Sequence, residues 1–324
     1  MILHILFTVI GAALVLFGAD KLTDGSVGLA RRFSISEMVI GLTVVAFGTS
    51  LPEFVVSFLA SLNGSAAMSI GNIVGSNLFN TLMIVGVTAV VSPIAVTHAT
   101  AYKDIPFCIL ASVVLAALAS DSLLNGGGEV NVLDRGDGVA LLGFFLIFMT
   151  YTLTLARHKV VPAEEVAVSK EPSSEMGIGR ILLFIILGLA GLIVGGHLFV
   201  EGASGIARGL GVSEGVIGLT LVAGGTSLPE LATSVIAARK GQSAMAIGNV
   251  VGSNLFNILW ILGACSLISP LAVQGITLVD FSVLVASSLL FWLFARSRFT
   301  VQRWEGAIMV GCFVAYIAWL IASL

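Results

Sequence analysis

Residues 48–53 read Gly-Thr-Ser-Leu-Pro-Glu, and residues 225–230 repeat the same phrase. Both copies lie in long apolar runs, so Glu53 and Glu230 introduce carboxylates into otherwise hydrophobic surroundings. The similarity extends beyond this phrase, always at a constant offset of 177 in the numbering and without a gap. The chain is therefore an internal duplication. Further matching segments are residues 40–43 with 217–220, 70–72 with 247–249, 74–80 with 251–257, and 92–93 with 269–270.

The composition indicates an integral membrane protein that is surrounded by a lipid bilayer. Hydrophobic residues make up 57% of the 324 residues, charged residues 10%, and the mean hydropathy is +1.09. A soluble domain carries about 25% charged residues. The net charge of -3 gives no indication of a nucleic-acid partner. Cys108, Cys265 and Cys312 are isolated in apolar runs and have neither disulfide nor metal-ligand spacing.

Ten apolar segments are long enough to cross a bilayer, which takes about 20 residues per helix. They are uniformly apolar rather than alternating, which favours helices over transmembrane strands. The first segment lacks the basic start and cleavage site of a signal peptide, so a spanning helix is expected there. The predicted fold is an all-α polytopic membrane protein with spans at residues 2–20, 38–61, 68–91, 104–120, 138–156, 180–200, 215–238, 244–268, 276–295 and 304–323.

Positive charges predict the orientation of these spans. If the N-terminus lies outside, only Arg135 and Arg208 of the 15 Lys and Arg residues fall in outer loops. The positive-inside rule then predicts a plasma-membrane protein with both termini extracellular. All the other basic residues fall in inner segments: Lys21, Arg31, Arg32, Lys103, Arg157, Lys159, Lys170, Arg180, Arg239, Lys240, Arg296, Arg298 and Arg303.

An odd number of spans in each copy predicts an inverted repeat. Residues 1–156 hold the first five spans and residues 180–324 the second five, so the second copy enters the membrane from the opposite side. Many secondary transporters have this design, with the substrate site between the halves. The polar segment 157–179 is expected to be a cytoplasmic tether, because its glutamates lack the spacing of a calcium-binding loop. The outer loop 121–137 is similarly expected to be a solvated turn.

The repeated phrase offers hard oxygen ligands at a helix kink. Pro52 has no N–H group, so the carbonyl of Gly48 loses its helical partner and the helix is expected to kink there. A hydroxyl and a carboxylate four residues apart share one face of the helix, as do a hydroxyl and an amide in the following span. The side chains of this set are Thr49, Ser50, Glu53, Ser76 and Asn80, with Thr226, Ser227, Glu230, Ser253 and Asn257 in the second copy.

The two copies together predict one central cation site. Glu53, Glu230, Thr49 and Thr226 offer six oxygens if both carboxylates bind through both oxygens. Ca²⁺ takes about six to eight oxygen ligands, whereas a Mg²⁺ site keeps several waters. The absence of His, Cys and Met from the set argues against zinc and copper. A carboxylate within a membrane costs at least about 2.5–3.5 kcal/mol, and no Lys or Arg lies in the spans that carry these two.

Two further groups of polar residues have less specific interpretations. The repeated asparagines Asn72, Asn77, Asn249 and Asn254 are expected mainly to hydrogen-bond neighbouring helices. His197 and Glu201, near the end of the sixth span, are expected at the membrane interface rather than in the site.

The duplicated phrase, each copy followed by a Gly-Ser-Asn segment, resembles the α-repeats of the sodium/calcium exchangers. The likeness covers nearly the whole chain and is closest to compact prokaryotic members. It implies ten helices in two inverted groups of five, in which spans 2, 3, 7 and 8 bind the ions and spans 1 and 6 slide across them. It also implies that Glu53, Glu230, Thr49 and Thr226 hold Ca²⁺. The implied sodium sites are completed by Ser50, Ser227, Ser76, Ser253, Asn80, Asn257 and the carbonyls of Ala46 and Ala223.

One position departs from part of that family. Many exchangers have Asp where this chain has Asn257, and in relatives that also carry K⁺ an Asp there is associated with potassium. The resemblance therefore implies exchange that is independent of K⁺. It further implies a third Na⁺ per Ca²⁺, which makes the exchange electrogenic. Ca²⁺ and Na⁺ are expected as transported ions, with no prosthetic group, and the protein is expected to be a monomer.

Three other functions compete with sodium/calcium exchange. In a Ca²⁺/H⁺ antiporter, protons on the same two glutamates would replace sodium; that branch typically has Gly-Asn-Ala before its glutamate, where this chain has Gly-Thr-Ser-Leu-Pro. The inverted duplication and the lack of a repeated pore-loop sequence argue against an ion channel. An enzyme is disfavoured because neither a His-Glu-x-x-His motif nor a nucleotide-binding loop accompanies the glutamates.

Overall fold

The structure, a computed structural model, describes residues 1–124, 131–157, 176–211 and 223–323. Within these ranges the chain is mostly helical, and eight helices are long and apolar enough to cross a membrane. Two further helices, joined at a bend, are long and apolar enough together to give a ninth candidate span.

We number the elements in chain order, joining helical segments that run on without a break. The helices are α1 (Ile2–Phe33), α2 (Glu37–Thr49), α3 (Leu51–Leu62), α4 (Ala66–Val91), α5 (Thr100–Leu118), α6 (Asp121–Leu124), α7 (Arg135–Arg157), α8 (Ile178–Gly209), α9 (Ala223–Thr226), α10 (Leu228–Arg239), α11 (Ser243–Ile268), α12 (Leu278–Arg298) and α13 (Arg303–Ser323). The strands are β1 (Ile94–Ala95), β2 (Val132–Leu133), β3 (Leu271–Ala272) and β4 (Thr300–Val301).

The predicted ends of the first and sixth spans are wrong. Helices α1 and α8 have 32 residues each, which at 1.5 Å per residue gives a length of about 48 Å, well beyond a hydrocarbon layer of about 30 Å. Asp20 and Lys21 therefore lie within α1 and not in a loop. The error has a physical cause, since a charge ends an apolar run but does not end a helix. Helix α1 ends at Ser34, whose left-handed backbone (φ 51°) lets its N–H group bond the carbonyls of Ala30 and Arg31.

The chain is mostly helical within the described residues, in agreement with the predicted fold class, and its loops also contain four short strands. Strand β1 pairs with β4 and β2 pairs with β3, both antiparallel, and each strand has two residues. A search for long apolar runs cannot detect such short elements. The two pairs join loops that are far apart in the sequence.

The duplication of the sequence is repeated in the structure at the same offset. Helices α3 and α10 begin and end at equivalent positions of the two copies, and α4 and α11 begin at equivalent positions. Both α4 and α11 contain a π-helical segment, at Phe79–Ile84 and Phe256–Leu262. Both helices contribute many side chains to the apolar core, and Ile70, Leu78, Leu255 and Leu262 are almost completely inaccessible.

Helices α1 and α8 lie against each other along glycine residues. A Cβ atom added at Gly18 would lie 2.6 Å from the backbone nitrogen of Leu192, and one added at Gly188 would lie 2.6 Å from that of Leu22. The two backbones are therefore in direct contact, as is typical of helices that pack within lipid.

Three of the predicted segments are described only in part. The seventh span, 215–238, is represented by α9 and α10, and its first residues, 215–222, lie outside the described residues. Of the tether 157–179, residues 158–175 also lie outside them. In the outer loop, residues 125–130 are not described, and the carboxylates of Asp134 and Asp137 each accept the other residue's backbone N–H, at 3.0 and 2.9 Å. Asp134 is exposed and Asp137 is half-buried, in keeping with an expected turn at the surface.

Candidate ion-binding site

The site is built at two helix breaks. Helices α2 and α3 meet at Ser50 with a bend of 49°, so the predicted kink at Pro52 is a complete break. Pro52 is in the first turn of α3, where a missing N–H group costs nothing. Helices α9 and α10 meet in the same way at Ser227, with Pro229 in the first turn of α10. Each break brings hydroxyl and backbone oxygens into the interior of the protein.

The carboxylates lie just after the breaks and are bonded to the opposite copy of the repeat. Glu53 and Glu230 are each 1% exposed. The Ser227 hydroxyl donates to Oε1 of Glu53 at 2.9 Å, and the Ser50 hydroxyl donates to Oε1 of Glu230 at 3.1 Å. The two carboxylates are close enough to repel each other. The exchange of hydrogen bonds between the copies makes the two breaks into a single site.

The threonines of the repeated phrase lie beside the same carboxylates. Thr226 contacts the carboxylate of Glu53, and Thr49 that of Glu230. The Thr49 hydroxyl also lies 3.1 Å from Oδ1 of Asn249. The Ser253 hydroxyl completes this side of the site, 3.4 Å from Oε1 of Glu230.

The carbonyls predicted as sodium ligands lie at the start of the last helical turn before each break. The Ala46 carbonyl accepts the N–H group of Ser50 at 3.0 Å and lies 3.4 Å from the Thr49 hydroxyl. Ala223 occupies the equivalent position as the first residue of α9.

Two asparagines in the π-helical segments also bond reciprocally between the copies. The Asn80 amide donates to Oδ1 of Asn254, and the Asn257 amide donates to Oδ1 of Asn77, both at 3.0 Å. These bonds use the side-chain nitrogen atoms of Asn80 and Asn257. The side-chain oxygen atom of each remains available to bind an ion. Single π-helical turns occur frequently at functional sites.

Five buried oxygen atoms of the predicted ligands have no hydrogen-bond partner among the described residues. Leaving a buried polar group unsatisfied costs about 1–3 kcal/mol, so five in one set call for a ligand. Because all five are oxygens, they suit a hard cation. No cluster of three His, Cys, Asp or Glu occurs in the described parts of the chain, so the site combines two carboxylates with neutral oxygens. The five atoms are Oε2 of Glu53, Oε2 of Glu230, Oγ of Ser76, Oδ1 of Asn80 and Oδ1 of Asn257.

Asn72 and Asn249 support the backbone of the site. The Asn72 amide donates to the Glu53 carbonyl at 3.3 Å and to the Ser57 hydroxyl at 2.9 Å. The Asn249 amide makes the equivalent bonds to the Glu230 carbonyl at 3.3 Å and to Ser234 at 3.0 Å. The expectation that these asparagines bond neighbouring helices is confirmed.

Sequence reasoning missed the two serines that share these amides. Ser57 and Ser234 are buried. Each lies four residues after its glutamate, on the same face of the helix, and this Glu-x-x-x-Ser spacing recurs in both copies of the repeat. This recurrence is the sequence pattern from which the two serines could have been predicted.

A cavity of about 400 Å³ reaches the site between α3, α8 and the junction of α9 with α10. The ligand on its wall is Thr226, and His197 lies at its rim with 80% of its side chain exposed. The lining is otherwise largely apolar: Leu51, Pro52, Val55, Val56, Leu192, Ile193, Gly196, Val200, Gly225 and Pro229.

Two of the equivalent positions in the other copy are more buried. Val200 and Thr226 on the cavity wall are half-buried, whereas their counterparts Thr23 and Thr49 are buried, with exposures of 0% and 1%. At these two positions the site is more accessible along α8 than along α1.

Comparisons with known proteins agree with this geometry. The family model described as sodium/calcium exchanger protein matches residues 3–154 and 180–322. The chain is 34% identical to the inner membrane protein YrbG of Escherichia coli over 326 residues, which cover 99% of this chain and 97% of that protein. It is 32% identical to the sodium/calcium exchanger MaX1 of Methanosarcina acetivorans over 340 residues, which cover 97% of each. A solved structure of the sodium-calcium exchanger NCX_Mj superimposes with a TM-score of 0.82 at 36% identity, with 98% of both chains covered.

Proposed function

The chain belongs to the sodium/calcium exchanger family, and on this basis we propose that it exchanges Na⁺ for Ca²⁺ across the plasma membrane by alternating access. Members of this family are membrane transporters rather than enzymes, and their substrates are the ions themselves. The relationship to an inner membrane protein of Escherichia coli supports the plasma membrane as the location.

The observation that carries the proposal is the reciprocal pairing of each carboxylate with the other copy's serine. It joins two charged groups, each with one unpartnered oxygen, into one buried site without a Lys or Arg partner among its described hydrogen bonds. Three more of the predicted ligands, Ser76, Asn80 and Asn257, also have an unpartnered oxygen. A site with two negative charges that is made only of oxygen suits one Ca²⁺, or Na⁺ ions in its place. Both halves of the site come from the same chain, so a monomer suffices.

Each predicted ligand has a role in this proposal. Glu53, Glu230, Thr49 and Thr226 bind Ca²⁺, because they combine the two charges with the threonine hydroxyls that contact the carboxylates. Na⁺ ions use the same carboxylates together with the surrounding neutral oxygens. Those oxygens belong to Ser50, Ser227, Ser76, Ser253, Asn80, Asn257 and the carbonyls of Ala46 and Ala223.

We further propose ten spans in two inverted groups of five, residues 1–156 and 180–324, joined by a cytoplasmic linker at 157–179. The strand pairs support this count. Four described helical segments, α7, α8, α9 with α10, and α11, separate β2 from β3. Paired strands must lie on one side of the membrane, which requires an even number of crossings, so α9 with α10 must count as one crossing. With both termini outside, the pair β1–β4 is then cytoplasmic and the pair β2–β3 extracellular.

The exchange is proposed to be electrogenic and independent of K⁺. Two carboxylates are balanced by one Ca²⁺, whereas three Na⁺ leave one positive charge in excess. That charge interacts with the membrane potential by about 2.3 kcal/mol per 100 mV. The amide groups of Asn80 and Asn257 donate hydrogen bonds to Asn254 and Asn77. Both residues are neutral, so neither adds the carboxylate that is associated with K⁺ in relatives.

A Ca²⁺/H⁺ antiporter that uses Glu53 and Glu230 is the alternative. Protons would need only the two carboxylates, since a protonated carboxyl group requires no further ligands. The unpartnered oxygens of Ser76, Asn80 and Asn257 would then have no function. Their presence favours Na⁺ as the counter-ion.

The experiment that tests the function is ⁴⁵Ca²⁺ uptake into proteoliposomes under an imposed Na⁺ gradient, an imposed pH gradient, or neither. We expect rapid uptake only when Na⁺ is higher inside the vesicles than outside. Uptake driven by the pH gradient alone would establish the alternative, and uptake without any counter-ion gradient would indicate a channel. Vesicles that contain the Glu53→Gln variant provide the matched background.

A further inference from the structure

The less accessible side of the site carries a cluster of charges that the transport chemistry does not use. Lys240 directly follows α10, and its Nζ lies 2.6 Å from Oδ1 of Asp20 and 2.7 Å from Oδ1 of Asp24, both on α1. The same ammonium lies 3.3 Å from the backbone carbonyl of Asp20. One side chain of the ion-binding core is therefore held by three oxygens of α1.

Lys21 takes part in the cluster but cannot fasten α1 to the core. Its ammonium lies 3.0 Å from Asp20 and 4.0 Å from Asp24, and all three residues belong to α1. It also lies over the rings of Phe17 and Phe184, on α1 and on its partner helix α8. Within the described part of this cluster, the ion pairs that cross from α1 to the end of α10 are made by Lys240.

Lys240 is suited to a contact that persists at neutral pH. Partial burial opposes its charged form, but hydrogen bonds to Asp20 and Asp24 outweigh this effect and raise the pKa of the ammonium above its usual value. The side chains remain one-third or more exposed, so water can replace each contact when it breaks. Such a contact can form and separate within a transport cycle.

The duplication provides an internal comparison for this cluster. In the other copy, Asp20 corresponds to His197, Asp24 to Glu201 and Lys240 to Asn63. His197 and Glu201 face outwards and lie 3.8 Å from each other along α8, and Asn63 has no cationic group. The ion pair therefore occurs beside the less accessible path, and its equivalent is lacking where the cavity is open.

We propose that Lys240 with Asp20 and Asp24 forms an ion-pair lock that holds the cytoplasmic end of α1 against α10 while the site is open along α8, and that these contacts break when the site opens to the cytoplasm. This inference rests on the proposed alternating access, and the three residues of the lock would stabilise one of its two states. Helices α1 and α8 are in backbone contact at Gly18 and Gly188, so they move as one unit, and releasing one end of that unit affects the other.

The test measures accessibility rather than transport. Thr23, buried on the path along α1, and Val200, its equivalent on the cavity wall, are each changed to Cys after the three native cysteines have been replaced by Ala. The rate of labelling by a membrane-impermeant thiol reagent is then measured from each side in proteoliposomes without transported ions. Lys240→Gln should raise the labelling rate of Thr23→Cys from the cytoplasmic side by about three- to tenfold, the factor expected for one or two half-exposed ion pairs.

Control variants separate the lock from other effects. Lys240→Arg keeps the charge and should label like the parent, and Arg239→Gln removes a neighbouring charge whose described contacts do not include Asp20. The double variant Asp20→Asn with Asp24→Asn should show the same increase in labelling as Lys240→Gln. It replaces Lys240→Gln in the test if Lys240→Gln does not fold. Unchanged labelling in both would overturn the lock, and so would an equal increase in Arg239→Gln. Labelling needs no Na⁺ or Ca²⁺. Absence of sodium-driven flux would therefore disprove the proposed function but would not change the labelling rates that test the lock.

Discussion

The two copies of the repeat are alike at the ion site and unlike beside it. At the site, Ser50 and Ser227 exchange equivalent bonds with the opposite glutamates, and Asn72 and Asn249 support the two backbones in the same way. Beside it, the path along α8 contains a cavity, whereas the equivalent path along α1 is more buried at Thr23 and Thr49.

This difference indicates which part of the protein distinguishes the two access paths. A symmetric site offers the same ligands towards both sides of the membrane, so the ligands themselves do not favour one opening. The paths along α1 and α8 are the asymmetric part, and under the proposed alternating access the position of this helix pair decides which path is open. An ion changes the balance between the two states only by the difference in its affinity for them. The following predictions test the symmetry of the site and the asymmetry of the paths separately.

The largest expected effect is the loss of either carboxylate. Glu53→Gln and Glu230→Gln should each reduce sodium-driven ⁴⁵Ca²⁺ flux by at least about 100-fold, because removing one charge from a buried, mutually dependent set costs about 3–5 kcal/mol. Glu201→Gln, which changes an exposed glutamate on α8, is the control and should transport normally. Near-normal flux in only one of the two site variants would break the equivalence of the copies.

A second prediction concerns the two paths. Val55 lines the cavity and is 50% exposed, and its equivalent in the second copy is Ala232. In the absence of ions, Val55→Cys should be labelled from outside about ten times faster than Ala232→Cys from inside, as expected if the alternative state is populated to about 10% or less. Equal rates would mean that the two paths are open equally often, and the observed asymmetry would then have no role in setting access.

A third, smaller effect is expected from the supporting asparagines. Asn72→Ala and Asn249→Ala remove the bonds to the glutamate carbonyls but leave every proposed ligand in place, so each should weaken apparent Ca²⁺ affinity by roughly tenfold. Half-saturation of the flux measures this change, with Asn63→Ala at the exposed end of α3 as the control. If affinity is unchanged in both variants, the amides serve packing alone.

The smallest effect concerns voltage. Asn80→Asp and Asn257→Asp each add a negative charge at equivalent positions, so both should tighten cation binding and reduce the net charge carried in the sodium-loaded state to the same extent. Flux is measured in vesicles held at several potentials with K⁺ and valinomycin, where each elementary charge contributes about 2.3 kcal/mol per 100 mV. If the parent protein ignores voltage, two Na⁺ replace one Ca²⁺ and the third sodium site is wrong.

The sequence predicted which polar side chains lie near one another better than it predicted the helices around them. The spacing of Thr49 and Glu53, repeated at 226 and 230, was sufficient to place each hydroxyl and carboxylate on one helix face, because helical periodicity acts locally. The lengths of α1 and α8 were missed because apolar runs end at charges while helices end at caps. The π-helical turns that carry Asn80 and Asn257 leave no mark in a pattern of hydrophobic residues.

Contacts between distant parts of the chain were the other omission. Lys240 was interpreted only as a positive charge that marks the cytoplasm. Its contact with Asp20 joins residues that are 220 positions apart, and no local pattern predicts such a contact. Ser57 and Ser234 were within reach of the same reasoning that found the glutamates, since their spacing is helical and duplicated.

The strand pairs have a consequence for how the protein is made. Strand β1 is complete early in synthesis, but its partner β4 lies close to the other end of the chain. Contacts between such distant residues form slowly, because a long loop must close before they contribute. Ile94 and Ala95 can therefore form their strand pairing only after Thr300 and Val301, just before the last helix, have been synthesised. Pairing of β1, in the first repeat, therefore requires that most of the second repeat has already been synthesised.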